Sequence, residues 1–326
     1  MAKITVLGAG GWGLALALAL HSNGHSVTVW SPFLDEVISL REKRTNEKLL
    51  KGIIIPDNID ITDDISCANS SVLTVIATPS FAVGQTAKKL KDVGDCGIIV
   101  NVAKGFEEGS GLRLSEVIGQ ELPNSVVTVL SGPSHAEEVA RRIPTMLTVS
   151  GRDEEKLKVV QSIFSNDSLR VYTNPDIIGV ELGGALKNII AVAAGVCDGI
   201  GLGDNSKAAL ITRGLAEMTR LGKALGAKET TFAGLTGMGD LIVTCTSVHS
   251  RNHRFGELIG KGVEVKEALE QVGTVEGYYA CKTAYFIAQK NNVSMPVTQL
   301  CYQLLFEKYR VEDIVKTLMT RPFKEE

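Results

Sequence analysis

Two lysines occur in apolar surroundings, where a charged side chain needs a physical reason. Lys104 lies at the end of the β-branched run CGIIVNVAKG (96–105), and Lys187 is the only charged residue between Glu181 and Asp198. A lysine that is desolvated near another cation has a lowered pKa and can act as a base. The alternative for Lys104 is a surface lysine. The alternative for Lys187 is a lysine whose alkyl chain lies along apolar groups while its amine reaches water. Taken alone, the two lysines make acid–base catalysis a hypothesis.

A glycine-rich loop lies between the first predicted strand and the first predicted helix. It reads GAGGWG over residues 8–13 and has the spacing GxGxxG. In such a loop Gly8 allows the tight turn, Gly10 lets a pyrophosphate approach the backbone, and Gly13 lets the helix pack on the strand. The N-terminus of the helix favours the phosphate charge. This context predicts a site for NAD or NADP, and a glycine-rich turn without a ligand is the alternative.

The acidic residue that commonly binds the adenine ribose is missing from the end of the second predicted strand. That strand ends at Trp30 and is followed by Ser31-Pro32-Phe33, while the acidic residues 35–36 come a turn later. A carboxylate at the strand end binds the ribose 2′-hydroxyl, and an arginine there accommodates a 2′-phosphate. Because neither stands immediately after Trp30, the sequence predicts tolerance of both NAD and NADP.

Two polar segments in the second half have residue types that suit an anionic substrate. GLTGMGDLIVTC (234–245) places three glycines before Asp240, and Thr244 follows four residues later, on the same face if the segment is helical. Ser250-Arg251-Asn252 combines an arginine with an amide at a possible helix start, which suits a phosphate. A solvated polar loop is the alternative for each segment.

The segment SGPSHA (131–136) ends another predicted strand, where its glycine and serines could present backbone and hydroxyl groups to a ligand. It could equally be only a turn followed by a helix N-cap. His249 and His253 have the spacing of a chelating pair on a helix, but no carboxylate or third ligand is obvious. We therefore expect no metal.

The elements that must carry these residues change in type near residue 175. Before it, β-branched runs alternate with helical stretches, which is the pattern of a doubly wound parallel sheet. After it, helical patterns take over. The predicted strands span 3–10, 25–30, 71–79, 96–105, 124–134 and 145–151. The predicted helices of the second part span 178–197, 206–226, 264–271, 276–291, 296–308 and 311–319. We therefore predict an α/β fold in which a Rossmann-like doubly wound parallel sheet (1–175) is followed by an all-helical second domain (176–326).

Composition excludes several classes of function. The 326 residues include 34 Lys and Arg against 37 Asp and Glu, and the formal net charge of −3 argues against a broad basic surface for nucleic acid. The six cysteines are scattered, as expected of a reduced, cytoplasmic protein. No apolar run reaches the roughly 18 residues of a membrane span, so we expect no integral membrane segment.

Together these motifs resemble one family over nearly the whole chain. The chain contains, in this order, GAGGWG, VAKGF, SGPSHAEE, GGALKNIIA, GLTGMGDLIVTC, SRN and TVEG. It thereby resembles the bacterial, soluble type of NAD(P)-dependent sn-glycerol-3-phosphate dehydrogenase. GALKNIIA, and GDLIVTC followed by SRN, are the specific parts, since many enzymes share the glycine loop. The resemblance implies interconversion of sn-glycerol 3-phosphate and dihydroxyacetone phosphate, a supply of glycerol phosphate for phospholipid synthesis, and a homodimer.

The resemblance also implies roles for individual positions. Lys187 would be the catalytic proton acceptor. Lys104 and Asp240 would line the same substrate site, with Thr244 and Asn188 beside them. The residues that would hold the glycerol phosphate, together with Lys104, Lys187 and Asp240, are Gly132, Ser134, Ser250, Arg251 and Asn252. Besides Gly8, Gly10 and Gly13, the residues that would contact the dinucleotide are Gly11, Trp12, Phe33, Lys104, Ala136, Arg251 and Glu276.

The chain departs from the family pattern at two places that bear on the cofactor. Relatives often carry a basic residue where this chain has Pro32-Phe33, and Tyr-Leu-Pro-Gly where it has Leu49-Leu50-Lys51-Gly52. Two alternative functions remain open. One is another two-domain dehydrogenase of a small acid, of the ketopantoate or phosphogluconate type, against which the SRN segment argues. The other is a dinucleotide-sensing protein without catalysis, against which the two lysines argue.

Overall fold

The computed structural model describes residues 1–311, 313, 316–317 and 320, and the helix predicted over 311–319 lies partly outside them. The first half forms one eight-stranded sheet with helices, and the second half is helical. The strands are β1 (Lys3–Leu7), β2 (Ser26–Trp30), β3 (Asp60–Thr62), β4 (Leu73–Ile76), β5 (Ile98–Asn101), β6 (Val127–Ser131), β7 (Thr145–Ser150) and β8 (Leu169–Asn174). The α-helices of the first half are α1 (Gly11–Ser22), α2 (Leu34–Lys43), α3 (Val83–Leu90), α4 (Leu114–Glu121), α5 (Ala136–Ala140) and α6 (Glu154–Phe164). Those of the second half are α7 (Ile177–Gly199), α8 (Asp204–Ala224), α9 (Glu229–Phe232), α10 (Asp240–Thr246), α11 (Arg251–Gly260), α12 (Val265–Val272), α13 (Glu276–Lys290) and α14 (Pro296–Phe306).

The sheet has the strand order β3-β2-β1-β4-β5-β6-β7-β8 and is parallel from β3 to β6. Every residue of β4 and β5 is buried, because helices cover both faces of a doubly wound sheet. The first six strands of this order are those of a dinucleotide-binding fold, in which ligands bind beyond the carboxyl ends of the strands. The predicted fold class is confirmed.

The last two strands depart from the predicted parallel sheet. β7 runs antiparallel to β6, and β8 is parallel to β7. The connection between β6 and β7 contains only the five-residue helix α5, which is shorter than the strands and therefore does not return the chain along the sheet. Strands β3 and β8 were not predicted from the sequence. β3 has only three residues, and β8 is an edge strand with exposed alternate residues.

Helix α7 is the centre of the helical half. All of its residues from Gly179 to Val196 are buried, with α8, α10, α11 and α13 packed around it. By length and composition alone this helix could cross a membrane, and 89% of its most apolar window is buried inside the protein. Lys187 interrupts the apolar run within this helix, so the helix is long and apolar enough only when a charged residue is allowed in the window. Burial of this kind is the environment of a core helix.

Glycines let α7 and α11 touch through their backbones. A Cβ at Gly195 would lie 2.0 Å from the carbonyl oxygen of His253, and one at Gly256 would lie 2.0 Å from that of Val192. Small residues at both positions remove the side chains that would hold the helices apart. This contact fixes the N-terminus of α11 beside the middle of α7.

Candidate active site

The loop between β1 and α1 has the backbone geometry that its glycines predict. Gly8 has φ +125°, and a Cβ at Gly13 would lie 2.0 Å from the carbonyl oxygen of Gly8. Around Gly10, by contrast, no heavy atom of the described residues, apart from Gly10 itself and its two chain neighbours, lies within 4 Å of the place where a Cβ would stand. Gly8 and Gly13 are therefore required by the fold itself. Gly10 leaves room at the N-terminus of α1, which fits the approach of a dinucleotide pyrophosphate.

Lys104, Lys187 and Asp240 form a buried charge cluster where the sheet meets the helical half. Asp240 Oδ1 accepts a hydrogen bond from Lys187 Nζ at 2.5 Å, and Asp240 Oδ2 accepts one from Lys104 Nζ at 2.6 Å. Lys187 is 5% exposed and Asp240 is 1% exposed. Since one carboxylate faces two ammonium groups, the cluster keeps a positive charge when both lysines are protonated. Such a charge attracts an anionic substrate.

Thr244 completes the surroundings of the Lys187 ammonium group. Lys187 Nζ donates to Thr244 Oγ1 at 2.5 Å, and Thr244 Oγ1 lies 2.6 Å from the backbone carbonyl oxygen of Asp240, to which it donates. Asp240 and Thr244 occupy one turn of α10, as their spacing predicts. The amine is thus held between a carboxylate and a hydroxyl group.

The cluster separates the pKa values of its members. Burial lowers the pKa of Lys187, Asp240 opposes this effect and Lys104 adds to it, so that the pKa is about 8. Burial alone would raise the pKa of Asp240, but the ammonium groups of Lys104 and Lys187 hold it below its usual value. Lys187 can therefore exchange a proton near neutral pH while Asp240 remains an anion.

The two glycines before Lys187 let α7 approach the sheet closely. A Cβ at Gly184 would lie 3.0 Å from Ser131 Oγ and 3.3 Å from Lys104 Cγ, and one at Gly183 would lie 2.5 Å from the carbonyl oxygen of Thr236. Thr236 belongs to a π-helical turn, Leu235–Gly239, that leads directly into Asp240. The glycines therefore bring three distant segments of the chain to one point, at the cost of lower helix propensity.

The cluster opens into a polar cavity of about 150 Å³. Ser250 is the N-cap of α11 and its hydroxyl accepts from the backbone N–H of His253, while Arg251 is exposed at the first position of that helix. Arginine at a helix N-terminus combines a forked donor with backbone N–H groups, which suits phosphate. The predicted site residues that line the cavity are Lys104, Ser134, Lys187, Asn188, Asp240, Thr244, Ser250, Arg251 and Asn252.

Asn188 and Asn252 connect the cavity wall to α13. Asn252 Nδ2 donates to Asn188 Oδ1 at 2.9 Å, and Asn252 Oδ1 accepts from the backbone N–H of Gly277 at 2.8 Å. Gly132 is not one of the residues that line the cavity, but its carbonyl oxygen accepts from two that do, Lys104 Nζ and Ser134 Oγ. Asn252 and Gly132 therefore use these polar atoms to hold neighbouring cavity residues in place.

Two family models match the chain. The model described as the N-terminus of NAD-dependent glycerol-3-phosphate dehydrogenase covers residues 3–157, and the model of its C-terminus covers residues 176–316. The chain belongs to the NAD-dependent glycerol-3-phosphate dehydrogenase family. The resemblance in the sequence motifs is confirmed.

Individual members of the glycerol-3-phosphate dehydrogenase family match over their full lengths. A protein of Clostridium perfringens named glycerol-3-phosphate dehydrogenase (NAD(P)+) is 51% identical over an alignment of 329 positions, which covers 100% of this chain and 99% of the relative. One of Geobacillus kaustophilus with the same name is 52% identical and covers 100% and 96%. The crystal structure of glycerol-3-phosphate dehydrogenase from Coxiella burnetii has a TM-score of 0.94, 38% identity and coverage of 98% and 99%. The expected enzyme class and use of NAD or NADP agree with these names.

Several residues expected at the cofactor lie outside the cavity, and some of them surround the glycine loop. A Cβ at Gly11 would lie 3.8 Å from Ala136 Cβ and 3.5 Å from Leu49 Cβ, so the divergent segment 49–52 begins beside this loop. Trp12 is half-buried and packs on the sheet core. Glu276 begins α13 and accepts from the backbone N–H and the hydroxyl of Ser80 at 3.1 and 2.5 Å. Burial raises the pKa of Glu276, against the effect of these bonds.

The end of β2 carries a carboxylate that the analysis of the sequence placed too far away. Ser31 Oγ donates to Glu36 Oε2 at 2.5 Å, because α2 begins at Leu34 and its first turn folds back on the strand end. The expectation of no carboxylate there is therefore wrong. Phe33 is 67% exposed at the N-cap of α2. The nearby Arg41 is engaged, since its Nε donates to the carbonyl oxygen of Ile61 at 2.7 Å.

Sequence reasoning also missed a histidine in the cavity wall. His135 lines the cavity, and its ring lies 5.7 Å from that of His249. Burial and Lys187 lower the pKa of His135. His253, by contrast, pairs with Asp198 at 2.8 Å, so His249 and His253 do not converge as their spacing allowed. The motif SGPSHA contained the signal for His135, since that residue directly follows Ser134.

Proposed function

We propose that this enzyme interconverts sn-glycerol 3-phosphate and dihydroxyacetone phosphate by hydride transfer with NAD or NADP. The observation that carries the proposal is the buried Lys104–Asp240–Lys187 cluster, which opens beside Arg251 at the N-terminus of α11. It combines a proton-exchanging amine with an anion-binding wall, at the carboxyl edge of a dinucleotide-binding sheet. Membership of the family supports this reading.

In the proposed mechanism, Lys187 is the general base for oxidation and the general acid for reduction. When the alcohol is oxidised, neutral Lys187 takes the hydroxyl proton, and when the ketone is reduced, its ammonium form returns that proton. A bound NAD or NADP would supply the hydride chemistry at the adjacent carbon. Lys104 and the protonated Lys187 stabilise negative charge that develops on the substrate oxygen. Asp240 orients both amines and offsets their mutual repulsion.

The pKa of Lys187 sets the sign of the pH dependence. With a pKa of about 8, the oxidation rate should rise as the pH increases through about 8, because the base must be neutral. The reduction rate should fall over the same range, because the acid must be protonated. A rate that rises with pH for oxidation and falls with pH for reduction, over the same range, indicates that one group is the base in oxidation and the acid in reduction.

Binding of the substrate phosphate orients the carbon that reacts. We assign its binding to Arg251, to the backbone N–H groups at the start of α11, and to Ser134 on the opposite wall. Ser250 and Asn252 fix this end of the helix through the cap and the amide bonds described above. Binding energy from the phosphate is then available to position the carbon that reacts.

The test is oxidation of NADH and of NADPH with dihydroxyacetone phosphate or with unphosphorylated dihydroxyacetone. We expect turnover with the phosphorylated ketone and a kcat/KM that is lower by orders of magnitude without the phosphate. Comparable values for both ketones would contradict the phosphate site. Turnover with ketopantoate instead would support the alternative dehydrogenase, and cofactor binding without turnover on any of these ketones would support a sensor. A ketopantoate reductase from Ralstonia eutropha has a TM-score of 0.63 at 13% identity and so shares the fold alone.

We further propose that the enzyme acts as a cytoplasmic homodimer and supplies glycerol 3-phosphate for phospholipid synthesis. The six cysteines are free thiols, which supports a reducing compartment. Complementation of a bacterial strain that requires glycerol 3-phosphate tests the physiological direction. Light scattering of the purified enzyme tests the oligomeric state.

A further inference from the structure

Glu181 lies on α7 six residues before Lys187 and is absent from the cavity wall. Its side chain is 5% exposed. The carboxylate accepts hydrogen bonds from Arg113 Nη1 at 2.5 Å, from the backbone N–H of Ser115 at 2.8 Å and from Ser115 Oγ at 2.6 Å. Burial raises the pKa of Glu181, and the charge of Arg113 opposes that effect. The helical half is thus tied by one buried carboxylate to the start of α4 in the sheet half.

The donors of these bonds sit at the end of the loop that carries Lys104. That loop runs from the end of β5 to Arg113, which is the N-cap of α4. Within it, Phe106 forms a β-bridge with Arg113, and the backbone N–H of Glu107 donates to the carbonyl oxygen of Leu112 at 3.0 Å. These two contacts join the two ends of the loop. A bond that fixes Arg113 therefore also restricts the positions of Phe106 and Glu107, which follow Lys104 closely in the chain.

A second contact joins the same loop to the same helix. Gly184 lies one turn after Glu181, and a Cβ there would lie 3.3 Å from Lys104 Cγ. Lys187 lies a further turn along α7. The helix therefore meets the Lys104 loop at successive turns, first through an ion pair, then through a glycine, and last through the shared carboxylate of Asp240.

We propose that Glu181 is a positioning residue that sets the distance between the amines of Lys104 and Lys187. The inference rests on the proposed function, in which Lys187 is the base. A buried ion pair is weak evidence for stability, since a hydrophobic replacement is often neutral. A fixed distance between two catalytic amines, however, controls both the pKa of Lys187 and the alignment of the reacting groups.

The decisive variant is Glu181→Gln, which keeps the shape of the side chain and removes its charge. We expect kcat with dihydroxyacetone phosphate to fall about 10- to 100-fold, since a displacement near 1 Å can cost a factor of this size. The KM should change by less than about threefold. Arg113→Met should reproduce the loss, and the double variant should lose no more than either single variant.

A second readout reports on the position of Lys104 directly. Lys104 lowers the pKa of Lys187, so a retreat of Lys104 should move the titration of Lys187 to higher pH. The other titratable groups that face Lys187 are Asp240 and Cys245 on α10 and His135 before α5. The titration is followed by NMR of protein labelled with 13C at the lysine side chains, with Lys187→Ala providing the assignment.

Glu217→Gln is the matched control. Glu217 is also a buried glutamate, but it accepts from the backbone N–H groups of Val297 and Thr298 within the helical half. Its replacement should lower the Tm and leave kcat and the Lys187 titration unchanged. If Glu181→Gln behaves in the same way, the proposal is wrong and Glu181 is only structural. If Glu181→Gln does not fold, Arg113→Met decides by the same two readouts.

The titration separates this proposal from the proposed function. If the wild-type enzyme shows no turnover with dihydroxyacetone phosphate, the proposed function fails, and the titration alone decides the role of Glu181. An upward shift of the Lys187 pKa in Glu181→Gln then supports the positioning role. An unchanged pKa overturns it.

Discussion

The glycine loop at residues 8–13 and the Lys104 side of the lysine–aspartate cluster both follow carboxyl ends of parallel strands, but the loop and the cluster are built in opposite ways. The loop presents backbone and empty space, and its geometry is local, since Gly8 and Gly13 pack on each other. The cluster presents charged side chains that come from segments up to 136 residues apart. Substitution of Gly10 in the loop should therefore change cofactor affinity, and substitutions in the cluster should change the chemical step.

The largest expected effect separates these two regions most clearly. Lys187→Ala should lower kcat by about 10²- to 10⁴-fold, the usual contribution of a general acid or base. Dinucleotide affinity should stay the same, because the loop is untouched. Asp240 keeps its bond to Lys104, so no unpaired charge is left buried. Steady-state kinetics and cofactor titration by fluorescence measure the two quantities.

Lys207→Ala is a matched control for that variant. Lys207 is also paired with an aspartate, Asp198, but lies outside the cavity. Its loss should leave kcat nearly unchanged. Near-normal turnover of Lys187→Ala, with intact folding and cofactor affinity, would falsify the assignment of Lys187 as the base.

Arg251→Ala should have the next largest effect. Loss of a forked, charged partner for the phosphate should reduce kcat/KM for dihydroxyacetone phosphate by about 2–4 kcal/mol, or roughly 30- to 900-fold. Arg251→Lys should recover only part of this loss, because an ammonium group has no planar fork. Arg254→Ala, an exposed arginine on the same helix outside the cavity wall, is the control. If both alanine variants keep the wild-type kcat/KM, Arg251 is only a surface residue.

A pair of glycine substitutions tests the loop in the same way. Gly10→Ala adds a methyl group where the described structure has no neighbour within 4 Å, so the free energy of unfolding should change little. That methyl group would meet the cofactor, and overpacking costs about 1–3 kcal/mol, which raises the Kd of the dinucleotide roughly 5- to 150-fold. Gly13→Ala should instead lower the Tm, since its Cβ would lie 2.0 Å from Gly8 O. Equal effects of both variants on Tm would show that the loop is only a structural turn.

The contrast between local and long-range structure also explains which features of the fold could be predicted from the sequence. The loop, the alternation of strands and helices, and the change near residue 175 depend on local patterns, so they could be predicted. The three-residue strand β3 and the edge strand β8 carry too weak a pattern. The antiparallel turn into β7 depends on the length of α5, which the residues do not define sharply.

In the candidate site, too, the sequence predicts individual residues from local patterns but does not predict contacts between distant segments. Residue types and family motifs singled out Lys104, Lys187 and Asp240, but only the fold shows that one carboxylate faces both amines. The bonds of Glu181 join residues 66–68 positions apart, and no spacing rule connects them. The roles of the site residues stay predictions that the variants described here address. The division of the chain into domains at residue 175 also stays a prediction.

The smallest expected effect concerns the choice between NAD and NADP. Glu36 is held at the end of β2 by Ser31, where a carboxylate binds a ribose 2′-hydroxyl and repels a 2′-phosphate. Arg41 and Arg44 donate to the backbone carbonyl oxygens of Ile61 and Ile59, so neither is set aside to read a 2′-phosphate. The wild-type enzyme should therefore use both cofactors, with a preference for NADH below about 100-fold.

Glu36→Gln should reduce that preference by about tenfold or less, mainly through a lower KM for NADPH, because it removes one partly exposed charge. Asp35→Asn, an exposed neutralisation at the adjacent position of α2, is the control and should leave the ratio nearly unchanged. The measurement is kcat/KM for NADH and NADPH at one ionic strength. A wild-type preference above roughly a thousandfold would point to a cofactor-reading residue other than Glu36. If Glu36→Gln and Asp35→Asn shift the ratio equally, only the general charge of this helix end matters, and the position of Glu36 beside Ser31 has no part in the choice of cofactor.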